Sequence, residues 1–410
     1  MPSLGTLCVM RSDPADAMND SVAARVAEAR KLAGLTQAQL AMRAHLSLSL
    51  VRKVERGLVP ASPTFIASTA HALGLLVTDI TEQRNFHSIR SRYGVEQRFI
   101  PDLERAIIEC ENAVLDGPLL ELSELVTMLT RVVEAGRASK YTDVLESLPN
   151  LLRHLYAHSS LVASDKFEYV NRLLAQAYYA AMFATYKFGH LSLSAWTAER
   201  MSLAAKCSGD PLWAAMGLYS RSQALMFGGS YRASGAVLDK AASELQQSKD
   251  PRSAEVLGAV HLSGAIIAAR LGDSIDSDTR LQEARDLARH VHTRGDQFDT
   301  AFSAANVEIH AVAAAVELSD PTKALKRAAH LDLHGKLYRS RMGHYHIDLA
   351  RAYLMQGKHD RVVHELSLAR QLSPQQTRYH PQVHETIRAV ARARRRSDPV
   401  ARLAAWAGVE

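Results

Sequence analysis

The stretch Gly34-Leu35-Thr36-Gln37-Ala38-Gln39-Leu40-Ala41, continued by Leu46-Ser47-Leu48-Ser49-Leu50-Val51-Arg52-Lys53-Val54-Glu55-Arg56-Gly57, decides how the chain is read. It contains two helix starts and two helix stops. The hydroxyls of Thr36 and Ser47 can accept bonds from the free backbone N–H groups of a first turn. Gly34 and Gly57 tolerate the left-handed backbone on which helices end. The spacing predicts one short helix over Gln37 to Arg43 and another between Ser47 and Gly57. Leu40 and Ala41 face inward, and Ala41 is small where the two helices cross. Leu46, Val51 and Val54 line the back of the second helix and leave its front free.

Working outward, Val22, Val26, Ala29 and Ala33 recur at helical spacing before Gly34. Pro60, Ser62 and Pro63 form a turn before a helix over Thr64 to Leu73, which Gly74 ends. The combined pattern, from Ser21 to Thr81, resembles the XRE-type, phage-repressor-like helix-turn-helix of transcriptional regulators. The resemblance implies a five-helix domain whose third helix enters the major groove of double-stranded operator DNA. It implies that Gln37 contacts a phosphate, and that Ser47, Leu48, Ser49, Arg52 and Lys53 lie on or beside the base-reading face. Arg56 then falls nearer the DNA backbone, and Arg30 and Glu55 form an ion pair bracing the first helix against the third. Two residues depart from the family pattern. Leu48 stands where a polar reader is common, and His45 replaces the usual turn glycine, at a cost of roughly 1 kcal/mol in left-handed backbone. Seven basic residues of the segment (Arg25, Arg30, Lys31, Arg43, Arg52, Lys53, Arg56) face four acidic ones (Glu28, Glu55, Asp79, Glu82), an excess suited to a polyanion. One such domain binds DNA weakly, so a homodimer on a two-fold site is expected.

The rest of the 410-residue chain supplies the other limits. A net charge of +6 permits a nucleic-acid partner without requiring one. No apolar run approaches the roughly 20 residues that span a bilayer, and residues 1–20 lack the pattern of a secretory leader. They read as a disordered tail, and no membrane partner and a cytoplasmic location are expected. Cys8, Cys110 and Cys207 are odd in number and far apart, against a disulfide framework. No phosphate-binding glycine loop, dinucleotide fingerprint or nucleophile motif is found, so a non-enzyme without cofactors is expected. His154 and His158 have metal-compatible spacing but no evident third ligand.

Residues 82–100 read as a linker, and 101–410 as an all-α body that senses and dimerises. Turn signals recur about every 40 residues: Gly189, Gly228-Gly229, Gly272, Ser319-Asp320-Pro321 and Gly357. Leu349-Ala350-Arg351-Ala352-Tyr353-Leu354, followed by Gly357, resembles the first helix and turn of a tetratricopeptide repeat. This implies a right-handed α-solenoid of antiparallel pairs with a concave binding surface. A helix-turn-helix head on such a body resembles the RRNPP-type peptide-responsive regulators, which implies a peptide or small-molecule effector. Asn306 and His310, four apart on a helix rich in small residues, are groove candidates, with Asn171, Tyr178, Trp213, Tyr219 and Arg221 behind them. A scaffold whose body recruits a protein partner stays open as the alternative. The basic cluster Arg392, Arg394, Arg395 and Arg396 reads as a solvated helix face.

Overall fold

A computed structural model describes residues 21–81, 98–109, 112, 115, 117–161, 164–291, 296–333, 335–393 and 398–409. Among them the regular structure is entirely helical. The expected tail, most of the expected linker, Cys8, Cys110 and Arg394 to Arg396 lie outside the described residues.

Five helices form the head: α1 (Val22–Leu32), α2 (Gln37–Arg43), α3 (Leu48–Glu55), α4 (Pro63–Leu73) and α5 (Val77–Thr81). Ser21, Thr36, Ser47 and Ser62 each cap a helix by accepting a backbone N–H bond. At α2 the cap is reciprocal, since Gln39 returns a side-chain acceptor to the Thr36 N–H at 2.8 Å. Four turns close in one way, with a left-handed residue at Gly34, His45, Gly57 and Gly74. At each turn the next N–H reaches back five residues to a carbonyl, as from Leu46 to Ala41 at 2.9 Å. His45 takes this backbone at φ 54° without being glycine. Val26, Leu40, Val51, Phe65 and Ile80 fill the core of the head, each large side chain contributing about 1.5–3 kcal/mol.

The body begins with α6 (Ile100–Glu109) and continues as six helix pairs. These are α7 (Leu122–Arg137) with α8 (Tyr141–Leu161), α9 (Ser164–Lys187) with α10 (Leu191–Cys207), and α11 (Pro211–Phe227) with α12 (Tyr231–Gln246). Next come α13 (Ser253–Arg270) with α14 (Ser274–Ala288), α15 (Ala304–Glu317) with α16 (Pro321–Ala328), and α17 (Arg339–Met355) with α18 (His359–Leu372). Three further helices close the chain: α19 (Pro374–Tyr379), α20 (Pro381–Ala393) and α21 (Asp398–Ala407). Every pair turns on a left-handed residue: Ser139, Gly189, Gly229, Gly272, Ser319 or Gly357. Each turn carries the same backbone bond, for example Asp273 to Ala268 and Asp320 to Ala315, both at 2.9 Å. The first pair lacks a glycine in its turn, so its punctuation is invisible to a glycine-based reading.

The first helices of the pairs form an inner layer and the second helices an outer one. The array does not remain an open concave strip. Its ends meet, with Ser373 donating to the Ser139 hydroxyl at 2.8 Å and the Tyr141 hydroxyl donating to Gln376 at 3.2 Å. Tyr379 packs on Phe188 with ring centroids 5.0 Å apart. Within the last pair, Gly343 lets α17 pack closely on Ser373, because a Cβ there would lie 2.4 Å from that of Ser373. The concave face therefore becomes the wall of an internal chamber.

The head rests on the mouth of that chamber through α4. Thr64 donates to the Arg270 carbonyl at 3.2 Å, and Gln382 of α20 donates to the Ala61 carbonyl at 3.3 Å. Ala67 belongs to the body's core rather than to that of the head. It sits so close to Gly229 that a Cβ on that glycine would lie 2.6 Å from its own.

Candidate nucleic-acid interface and central cavity

The front of α3 is exposed and basic. Ser49, Arg52 and Lys53 point to solvent, with Arg56 at the helix end, while Val51 and Val54 are buried. The three cations have no ion-pair partner among the described residues. Ser47 is also exposed, but its hydroxyl caps α3 by accepting from the Leu50 N–H at 3.1 Å. Leu48 is half-buried against the head's core. Gln37, at the start of α2, donates to Glu55 at 2.8 Å. Glu55 also receives Arg30 in a two-pronged pair of 2.7 and 2.9 Å, and the remaining arm of Arg30 donates to the Leu35 carbonyl at 2.8 Å. Burial alone would raise the Glu55 carboxyl, but the bonds from Arg30 and Gln37 more than offset it and hold the group ionised. Arg392 of α20 lies beside this unit rather than on a remote solvated face. Its guanidinium carbon is 3.0 Å from where a Cβ on Gly57 would stand.

The chamber has a volume of about 300 Å³ and is walled by the inner helices, with Pro63, Ile66, Ala67, Val77 and Thr81 contributed by the head. A pattern runs round its wall. The last residues of α7, α9, α11, α13 and α15 (Arg137, Lys187, Phe227, Arg270 and Glu317) all line it. Cations at helix C-termini are favoured by the backbone dipoles, which suits three of the five. Arg351 bridges Glu317 at 3.0 Å and Asp348 at 3.1 Å, and Arg270 approaches Glu317 at 3.5 Å. Burial would raise Glu317, yet Arg351 and then Arg270 hold it at about 2. Asp348, with less of the arginine to itself, is pushed by burial up to about 6. Across the chamber Arg137 pairs with Asp299 at 2.7 Å. Tyr186 stacks on Phe227 at 3.5 Å, and Tyr179 packs against Tyr219 with ring centroids 6.5 Å apart.

Residues 21–82 match the family described as "Helix-turn-helix domain". This segment is a helix-turn-helix domain. No curated protein matches the sequence. Among solved structures, Bacillus thuringiensis PlcR in complex with the peptide PapR7 and DNA is similar at 15% identity. That likeness covers 66% of this chain and 95% of that one with a TM-score of 0.26. No helix among the described residues is long and apolar enough to cross a membrane.

The helix-turn-helix domain thus presents Ser47, Ser49, Arg52, Lys53 and Arg56 on one exposed surface, with Leu48 and Gln37 drawn partly inward. The groove candidates are not gathered in the same way. His310 and Tyr219 line the chamber, whereas Asn306 is buried behind the wall, where its carbonyl accepts from His310 Nδ1 at 2.8 Å. Asn171 donates to the Phe167 carbonyl one turn back at 2.9 Å, and the Tyr178 hydroxyl donates to that of Tyr156 at 3.0 Å. Trp213 packs on Phe298, and Arg221 pairs with Glu199 on the outside. All four serve helix contacts away from the lumen. His154 and His158 both engage the backbone of Leu120. Sequence reasoning missed Lys187, Arg341, His344, His380 and the Arg270–Glu317–Arg351 group. A charged residue ending a long apolar helix, as Arg270 and Glu317 do, was the available signal.

Proposed function

We propose that this protein is a DNA-binding transcriptional regulator that acts as a homodimer and answers to an effector held in the central chamber. In this reading α3 enters the major groove, Arg52 and Lys53 reach base edges, and Gln37 and Arg56 engage phosphates. Two copies are needed on a site whose halves lie about 34 Å apart. The effector is a peptide or a small molecule. The observation that carries the proposal is the shared wall, because the helix-turn-helix domain supplies part of the chamber lining. An occupant then touches the reading unit directly, and it shifts the docking equilibrium by its different affinity for the docked and released states.

The test is selection of genomic fragments by the full-length protein, with footprinting of the winners and mass photometry of the complex. The expected result is a defined two-fold site occupied by two chains. Arg52→Ala should weaken binding by about 1–3 kcal/mol and relax the preference at one base position, while Arg56→Ala weakens all sequences alike and lowers the salt slope by about 1. Binding that depends on salt alone and ignores sequence, or a single chain on the selected site, would overturn the proposal.

A further inference from the structure

The chamber wall carries five cations, Arg137, Lys187, Arg270, Arg341 and Arg351, against three carboxylates, Asp299, Glu317 and Asp348. The carboxylates are spoken for. Asp299 is held by Arg137, and Glu317 and Asp348 by Arg270 and Arg351. Lys187 and Arg341 are left without a carboxylate within ion-pair distance among the described residues. Arg341 donates only to the Thr300 carbonyl at 3.2 Å, and Lys187 only overlies the Tyr186 ring, 5.7 Å from its centroid. Their other neighbours are imidazoles, His344 and His380, whose rings lie 5.3 Å apart. Enclosing unpaired cations is costly unless an anion joins them. The strain is visible at Lys187. Burial and then Arg341 push its ammonium down to about 7, against a smaller opposing pull from Asp348.

We infer that the chamber takes a small amphipathic carboxylate, its anion at Lys187 and Arg341 and its apolar body against Phe183, Phe227 and Ile266. The inference rests on the chamber being the effector site proposed above and names the chemistry of its occupant. Further observations narrow that chemistry. Tyr179 and Tyr219, whose side chains interact, both line the wall and offer hydroxyls to an occupant. A volume of about 300 Å³ holds about ten non-hydrogen atoms at the ~30 Å³ taken by a water. That suits a medium-chain or aryl-alkanoic acid, or the C-terminal residues of a short apolar peptide.

The test is calorimetry on the full-length protein with matched pairs of probes. Medium-chain and aryl-alkanoic acids are each compared with their primary amides, and apolar dipeptides and tripeptides as free acids with their C-terminal amides. Acids should bind about 10- to 100-fold more tightly than amides, the range for a charge-assisted bond of about 1.5–3 kcal/mol. Lys187→Met and Arg341→Met, shown folded by their melting curves, should each lose that preference, and Lys187→Arg should keep it. Binding by simple acids alone assigns the site to a free small acid, whereas binding by peptide acids alone assigns it to a peptide terminus. Equal affinity for acid and amide, a preference unmoved in Lys187→Met, or no binding by any acid would overturn the inference. An acid that binds as expected but leaves the affinity for selected DNA unchanged would instead count against the regulatory reading.

Discussion

Arg30 uses its three guanidinium nitrogens inside the helix-turn-helix domain, two on Glu55 and one on the Leu35 carbonyl. Glu55 in turn holds Gln37, so one carboxylate ties α1, α2 and α3 together. The side chains are 11% and 5% exposed, which places the pair out of reach of full solvent screening. Removing one partner strands the other, and Arg30→Ala is expected to cost about 3 kcal/mol, the lower end for buried pairs. The measurement is hydrogen exchange of the α1–α3 amides in the full chain; protection that does not fall on substitution would contradict this account. The pair's residues were legible from the family pattern. The engagement of Gln37 was not, because a glutamine at a helix start has equal chemistry for a phosphate and for a neighbouring carboxylate.

The segment between α14 and α15 is a second place where local structure rests on a few carboxyl groups. Asp296 accepts from the Thr300 and Ala301 N–H groups at 2.7 and 2.9 Å, and Glu255 of α13 accepts from the Phe298 N–H at 3.1 Å. Asp299 and Ala301 take left-handed backbone there, at φ 52° and 57°, without being glycine. Burial and then Asp296 push the Glu255 carboxyl from the usual 4.5 up to about 8. The folded protein therefore keeps a proton that the unfolded chain releases. The stability this group contributes is complete below about pH 4.5 and is lost as pH rises through about 8. Thermal unfolding followed against pH should show this fall, and Glu255→Gln, which carries the neutral form permanently, should flatten it; an unchanged slope would remove Glu255 from the explanation. Much else at this scale was readable. Gly189, Gly229, Gly272 and Gly357 mark their turns in the sequence, and Ser319 is announced by the Asp-Pro that follows. Ser139 carries no such sign, because its left-handed backbone is imposed by the pairing of α7 with α8.

At the scale of the whole molecule, docking of the helix-turn-helix domain depends on the contact of Ala67 with Gly229. Gly229→Val adds both a clash and strain, since φ there is +81°. The expected outcome is release of the domain: exchange rises along α4 while the inner helices keep their protection, and affinity for selected DNA becomes indifferent to chamber ligands. Retained protection along α4 would show that docking does not depend on this contact. Neither docking nor closure could be read in advance. Ser139 meets Ser373 and Tyr141 meets Gln376 across more than half the chain, and no local period encodes such pairs. Asn306 illustrates the same gap. Its surroundings of small residues were evident, but which side of the helix turns toward the lumen was decided by closure.

The meeting of the first and last hairpins also constrains how such a protein can change over time. An open stack of repeats can gain or lose a unit at little cost, because each unit touches only its neighbours. Here a hairpin added or deleted between α8 and α14 would part Ser139 from Ser373 and Arg137 from Asp299 together. The number of repeats is thereby locked. New specificities must come from exchanging side chains on the lumen wall, not from lengthening the array.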